Sequence, residues 1–241
     1  MSESLFIILI LLVIVMMYMF IFSNHKYTHY PISTFNDIKH KFKTGDIIIF
    51  SCPEHNNDFI HAAGNYIYKR VYRSIFIHVG MIIKLGNILY FIELCGPSHA
   101  GKDYAIYLNE SNNEGVRIIK LDDCIREYYE KYGGLFAVKY LDKPLNPNIV
   151  LSLLDQYKDY TFRTSSEITR LSLCSLIYPQ ENIKYDPKKM ICTEFIHSIL
   201  NKCGVFKNYP SHLFFPQHFS DSKYCYLQNI KYSDVHLFIY N

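Results

Sequence analysis

The sequence has no tryptophan, no C-x-x-C pair, no internal repeat and no low-complexity segment. It also lacks an excess of one charge. Lys and Arg number 25 against 22 Asp and Glu, a formal net charge of +3. That balance gives no case for a nucleic-acid partner, and none is expected. The seven cysteines are odd in number. Without C-x-x-C spacing they offer neither a zinc ribbon nor an evident disulfide framework. A reducing compartment fits that usage. His55, Asp58 and His61 lie close in sequence, but their spacing fits no zinc pattern, and a solvated loop running into a helix is expected there. No metal and no other cofactor is expected.

The 241 residues suffice for one domain of ordinary size plus an anchor, and hydrophobic residues make up 49% of them. Residues 5–22 form an apolar run without a charge. At helical rise the run spans about 27 Å, close to the hydrocarbon thickness of a bilayer. No Lys or Arg precedes it and no small-residue cleavage site follows, which argues against a secretory signal peptide. A single N-terminal transmembrane helix is therefore expected. Positive charge lies on its C-terminal side, at Lys26, Lys39, Lys41 and Lys43. The positive-inside rule then puts the large domain on the cytoplasmic side, with the anchor in a host membrane or a virion. The expected division is an anchor over 1–26, a linker over 27–43 with a short helix at 36–42, and a folded domain over 44–241.

The domain opens at the turn signal Thr44-Gly45-Asp46 and the apolar strand 47–50. A basic, aromatic stretch (Tyr68, Lys69, Arg70, Tyr72 and Arg73) reads as a solvated helix end. Strands are expected at 78–83 and 88–94, joined as a hairpin through Leu85-Gly86-Asn87, and at 116–121 and 135–141. Helices are expected at 148–158, after the capping box Thr164-Ser165-Ser166-Glu167, and from Ile191 to the stop at Gly204. Residues 235–240 read as an edge strand. The fold class is α+β, a small antiparallel sheet or barrel packed against helices.

The chemistry centres on Met190-Ile191-Cys192-Thr193-Glu194-Phe195. Cys192, Ile196, Ile199 and Cys203 share one helical face, with Cys192 at the N-terminal end. There the helix presents unpaired N–H groups and partial positive charge, a setting that suits a nucleophilic thiol. A small core residue is the competing reading. A nucleophile needs a base, a group to orient the base, and donors for the oxyanion. His78, at the start of a strand, is placed to be the base. Glu93, in the otherwise apolar run Tyr90-Phe91-Ile92-Glu93-Leu94, is placed to orient it, because an unpaired buried charge is costly. The Cys192 backbone N–H can serve the oxyanion. His99 and Cys95 are rival candidates nearby in sequence.

In their order along the chain, Gly45-Asp46-Ile47-Ile48-Ile49-Phe50, His78-Val79-Gly80-Met81, Glu93 and Cys192-Thr193-Glu194-Phe195 resemble the circularly permuted NlpC-type papain-like proteins. That group includes relatives of lecithin:retinol acyltransferase and bacterial and large-DNA-virus members. The resemblance implies a permuted papain-like fold with His78 as base, Glu93 as third polar residue and Cys192 as nucleophile. Thr193 stands where Ser is common in the family. The resemblance also implies the substrate class: an amide or ester, with lipids and lipid-modified proteins among the candidates. The expectation is a membrane-anchored cysteine hydrolase or acyltransferase working through an acyl-enzyme. The alternative is a non-catalytic, membrane-anchored interaction or virion structural protein on the same fold.

Overall fold

The computed structural model describes residues 14, 31–51, 75–96, 106–107, 114–164, 166–168, 170–171, 186–206, 219–220 and 231–241. Among them no helix is long and apolar enough to cross a membrane. The expected anchor over 5–22 lies outside the described residues save Ile14. So do the 52–74 loop and basic helix, His99, and most of the segment after the capping box.

The described chain is mixed α+β. It contains β1 (Ile32–Thr34), α1 (Phe35–Ile38), β2 (Ile47–Ser51), β3 (Phe76–Leu85), β4 (Ile88–Cys95), β5 (Ile106–Tyr107), β6 (Gly115–Lys120), α2 (Leu121–Tyr132), β7 (Phe136–Lys139), α3 (Pro147–Leu154), β8 (Thr161–Phe162), β9 (Lys189–Met190), α4 (Cys192–Lys202) and β10 (His236–Ile239). Eight strands form one sheet in the order β1-β10-β7-β2-β3-β4-β6-β5, and β8 pairs with β9 in a separate ladder. All sheet neighbours are antiparallel except β1 and β10. The sheet is open, with β1 and β5 at its edges among the described residues.

Side-chain alternation divides the core in two. Ile47, Ile49, Val79, Met81, Ile92 and Leu94 face α4. Ile48, Phe50, Ile82, Phe91, Phe136 and Val138 face α1 and α2. Gly80 lies between the two halves of this pattern. A Cβ there would stand 2.0 Å from Cζ of Phe91. The Phe91 ring therefore occupies the place of a side chain, and only glycine leaves room for it.

Two expectations are corrected and one unassigned segment is filled. The supposed linker contributes to the domain from Ile32 onward: β1 joins the sheet, and Phe35, Ile38 and Phe42 are buried. The short helix expected at 36–42 is present, as α1 and a tight turn over Lys39–Lys41 with Phe42 extended beyond it, but it docks on the domain rather than forming a tether. The terminal strand β10 is interior, flanked by β1 and β7. Its buried Leu237 and Phe238 fit that place. Residues 121–132, unassigned from sequence, form α2. Leu121, Cys124, Ile125 and Tyr128 bury one face of it, Asp122 and Asp123 occupy its first turn, and Gly133 at φ 52° ends it.

Three local expectations are met. The β3–β4 hairpin turns at Gly86, φ 60°. The Thr164 and Glu167 side chains exchange hydrogen bonds with each other's backbone N–H, a capping box. Asp46 fixes the start of β2 by accepting from the Lys43 and Leu141 backbone N–H groups at 2.9 and 2.8 Å.

Candidate active site

The Cys192 helix is positioned by the short ladder that precedes it. β9 pairs with β8, and the Arg163 N–H donates to the Met190 carbonyl at 3.0 Å. Ile191 is the N-cap, so Cys192 is the first helical residue, in agreement with the helix expected from Ile191. The Glu194 carboxylate reaches back to accept from the Ile191 N–H at 2.7 Å. The Arg163 guanidinium holds that carboxylate from the other side at 3.1 and 3.4 Å. Both are buried. Burial pushes Glu194 above the usual carboxylate range, opposed by Arg163 and the Ile191 N–H. This clamp fixes the helix start and with it the thiol. Gly204, at φ 74°, closes the far end.

His78 is the third residue of β3, beside a bulge. Phe50 pairs with His78 and Ser51 with Phe76, leaving Ile77 as the extra residue. A bulge bends and twists the strand and re-aims the side chains next to it. The His78 ring sits beside this bulge. On the α2 side it packs against Tyr128 (5.5 Å between centroids, stacked) and Phe50 (5.6 Å). The Cys192 thiol, on the α4 side, lies close enough to raise the affinity of His78 for a proton. Nε2 of His78 bonds Oε2 of Glu93. Of the three residues picked from sequence, His78 and Glu93 are thus in direct contact, and the Cys192 thiol lies near the imidazole. All three are buried, Cys192 at 4%, His78 at 9% and Glu93 at 0% exposure.

Glu93 is a hub. Its Oε1 accepts from Nε of Arg117 at 2.5 Å. Its Oε2 also accepts from the Tyr128 hydroxyl at 2.7 Å. Glu93 and Arg117 are direct cross-strand partners on β4 and β6, the pairing that lets opposite charges meet. Nη1 of Arg117 donates to both oxygens of Glu127 at 3.3 Å. Burial alone would lower the affinity of His78 for a proton. The neighbouring Cys192 and Glu93, by charge and hydrogen bond, outweigh it and push His78 up to about 10. The rival Cys95 is fully buried and donates to the Gly115 carbonyl at 3.6 Å.

No family model matches the sequence. Over 218 residues the chain is 30% identical to the protein named "Uncharacterized protein R372" of Acanthamoeba polyphaga mimivirus, and the match covers 87% of each chain. The chain belongs to the family of that mimivirus protein. A viral relative agrees with the viral setting expected from the sequence. Most of the R372-family chain is spanned by the match, so the comparison concerns the whole domain rather than one motif.

Sequence reasoning missed Arg117, Tyr128 and Glu127. Arg117 carried a signal of the same kind as Glu93, a charge inside the apolar strand Val116-Arg117-Ile118-Ile119. Two such charges on neighbouring strands point to each other. Tyr128 and Glu127 lay in the unassigned α2, whose apolar spacing and acidic first turn were legible.

Proposed function

We propose that this R372-family protein is a cysteine hydrolase or acyltransferase acting on an amide or ester bond, built as a permuted papain-like domain and anchored to a membrane by residues 5–22. One observation carries the reading: the buried His78 imidazole is hydrogen-bonded to the buried Glu93 carboxylate and lies near the Cys192 thiol at the start of a helix. A core cysteine does not need a buried imidazole backed by a buried carboxylate. A nucleophile does. The chain order, with the His strand before the Cys helix and that helix packed on an antiparallel sheet, supports the permuted assignment.

In this reading the sulfur of Cys192 attacks the carbonyl carbon and forms a C–S bond. His78 takes the thiol proton and delivers it to the departing amine or alcohol as the scissile bond breaks. The resulting thioester passes its acyl group to water or to another nucleophile, and the thiol is regenerated. Glu93 holds the imidazole by Nε2 and balances its positive charge. The Cys192 N–H, at the first helical position, has no intrahelical acceptor and is available to the oxyanion.

The test is to incubate the full chain with a panel of acyl esters and acyl amides and to follow its intact mass. An acyl increment on Cys192, lost in Cys192→Ala and much slowed in His78→Gln, is the expected result. Equal turnover by wild type and Cys192→Ala, with no adduct on any substrate, would remove the enzyme reading and leave a binding or virion structural role.

A further inference from the structure

Hydrogen bonds link the side chains of Glu127, Arg117, Glu93 and His78 in one connected line, and Cys192 lies near His78 at its end. These five residues come from α2, β6, β4, β3 and α4, so the line crosses the sheet from one face to the other. We infer that Arg117 and Tyr128 are positioning residues that hold Glu93 as the anion behind His78, with Glu127 fixing Arg117 in turn. The inference rests on the reading of Cys192 and His78 given above and adds what sets the charge of that pair.

A carboxylate at 0% exposure is strongly disfavoured as an anion unless it is paired and hydrogen-bonded. Were Glu93 to take up a proton, it would cease to accept from His78 and the imidazolium would lose its partner. Arg117 prevents this from Oε1, at cross-strand distance and itself fully buried. Burial would lower its own proton affinity, but Glu93 more than offsets that and raises it, so the guanidinium stays charged. Tyr128 acts on Oε2, the oxygen that His78 uses. Burial, then the Glu93 charge, push its hydroxyl well above the ordinary range, so it remains a donor. Its ring also lies parallel to the imidazole, and Phe50 braces it at 4.2 Å. One residue thus fixes both the carboxylate oxygen and the plane of the base. The other groups near this line are the thiols Cys95 on β4 and Cys124 on α2. Burial first, then Glu93, push the Cys124 thiol up, so it adds no charge at neutral pH.

The test titrates the His78 ring itself. Full-length protein carrying nitrogen-15 histidine is followed by NMR against pH, with His78→Gln assigning the signals. Four proteins are compared: wild type, Cys192→Ala, Tyr128→Phe and the charge-balanced double variant Arg117→Met/Glu127→Gln. In wild type the ring holds its proton well above the ordinary histidine range, and Cys192→Ala lowers the midpoint. Tyr128→Phe and the double variant each lower it by about one unit or more, a tenfold change in proton affinity. Tyr128→Phe removes a single hydroxyl and keeps the ring, so it remains informative if the double variant fails to fold. A folded Tyr128→Phe protein with a wild-type midpoint overturns the role of Tyr128, and an unshifted double variant overturns that of Arg117. A wild-type ring titrating near the ordinary value, unmoved by Cys192→Ala, instead refutes the pairing of Cys192 with His78 and takes this inference down with it.

Discussion

Glu93→Gln keeps the shape of the hub and removes its charge. Three donors converge on the carboxylate: Arg117 Nε, the Tyr128 hydroxyl and His78 Nε2. Glutamine offers one acceptor oxygen, and its amide nitrogen must face at least one of those donors. Arg117 then stays buried with Glu127 at 3.3 Å as its remaining acidic partner in the network. A surface ion pair could be lost for about 1 kcal/mol or less. Breaking a buried pair from one side costs about 3–5 kcal/mol. Glu127 remains and the new amide still accepts once, so the lower end, about 3 kcal/mol, is expected. With a urea slope of about 2 kcal/mol/M, that is a fall of about 1.5 M in the unfolding midpoint, followed by circular dichroism. Removing both charges in Glu93→Gln/Arg117→Met should restore a good part of the loss, because no unpaired guanidinium is left. A single-variant loss under about 1 kcal/mol, or a double variant as weak as the sum of the singles, would refute the view that these charges are buried and interdependent.

Three further outcomes follow from the same geometry. Because the folded-state affinity of His78 for its proton is raised to about 10, the native state holds more protons than the unfolded chain between about pH 6.5 and 10. Its contribution to stability is complete below that window and disappears as pH rises through it, so wild type should lose more unfolding free energy across the window than His78→Gln does. Asp46→Ala leaves the Lys43 and Leu141 N–H groups without their acceptor and should destabilise by about 2–5 kcal/mol in urea, with Asp46→Asn losing less. Gly80→Ala drives a methyl into the Phe91 ring and should cost about 1–3 kcal/mol, partly recovered by Gly80→Ala/Phe91→Leu; an unchanged midpoint would mean that the ring has room to move.

Much of the strand and helix order was legible because it rests on local signals. The Gly86 turn, the Thr164–Glu167 box, the apolar run after Asp46 and the face of α4 were each readable within about ten residues. What failed was equally local in cause. The short helix near 36–42 was readable, but among lysines and an early proline its apolar residues Phe35, Ile38 and Phe42 did not announce that they pack on the sheet. The terminal strand gave its conformation but not its neighbours, since position within a sheet depends on partners far away in sequence. For β10 those partners are β1 and β7, roughly two hundred and one hundred residues earlier.

The site divides the same way. By itself the sequence determined the reacting groups: a thiol at a helix start, a histidine entering a strand, and a carboxylate in an apolar strand that needed a partner. Those follow from residue type, periodicity and the penalty on buried charge. Only the tertiary structure decided how they meet. Alternation sends Glu93 to the α2 face and Cys192 comes from the α4 face, and His78, beside the bulge at Ile77, bonds the first and lies near the second. The partners that hold Glu93, Arg117 across the ladder and Tyr128 on α2, are set by register and packing between segments distant in the chain. Register is a property of paired strands, and no single strand carries it alone.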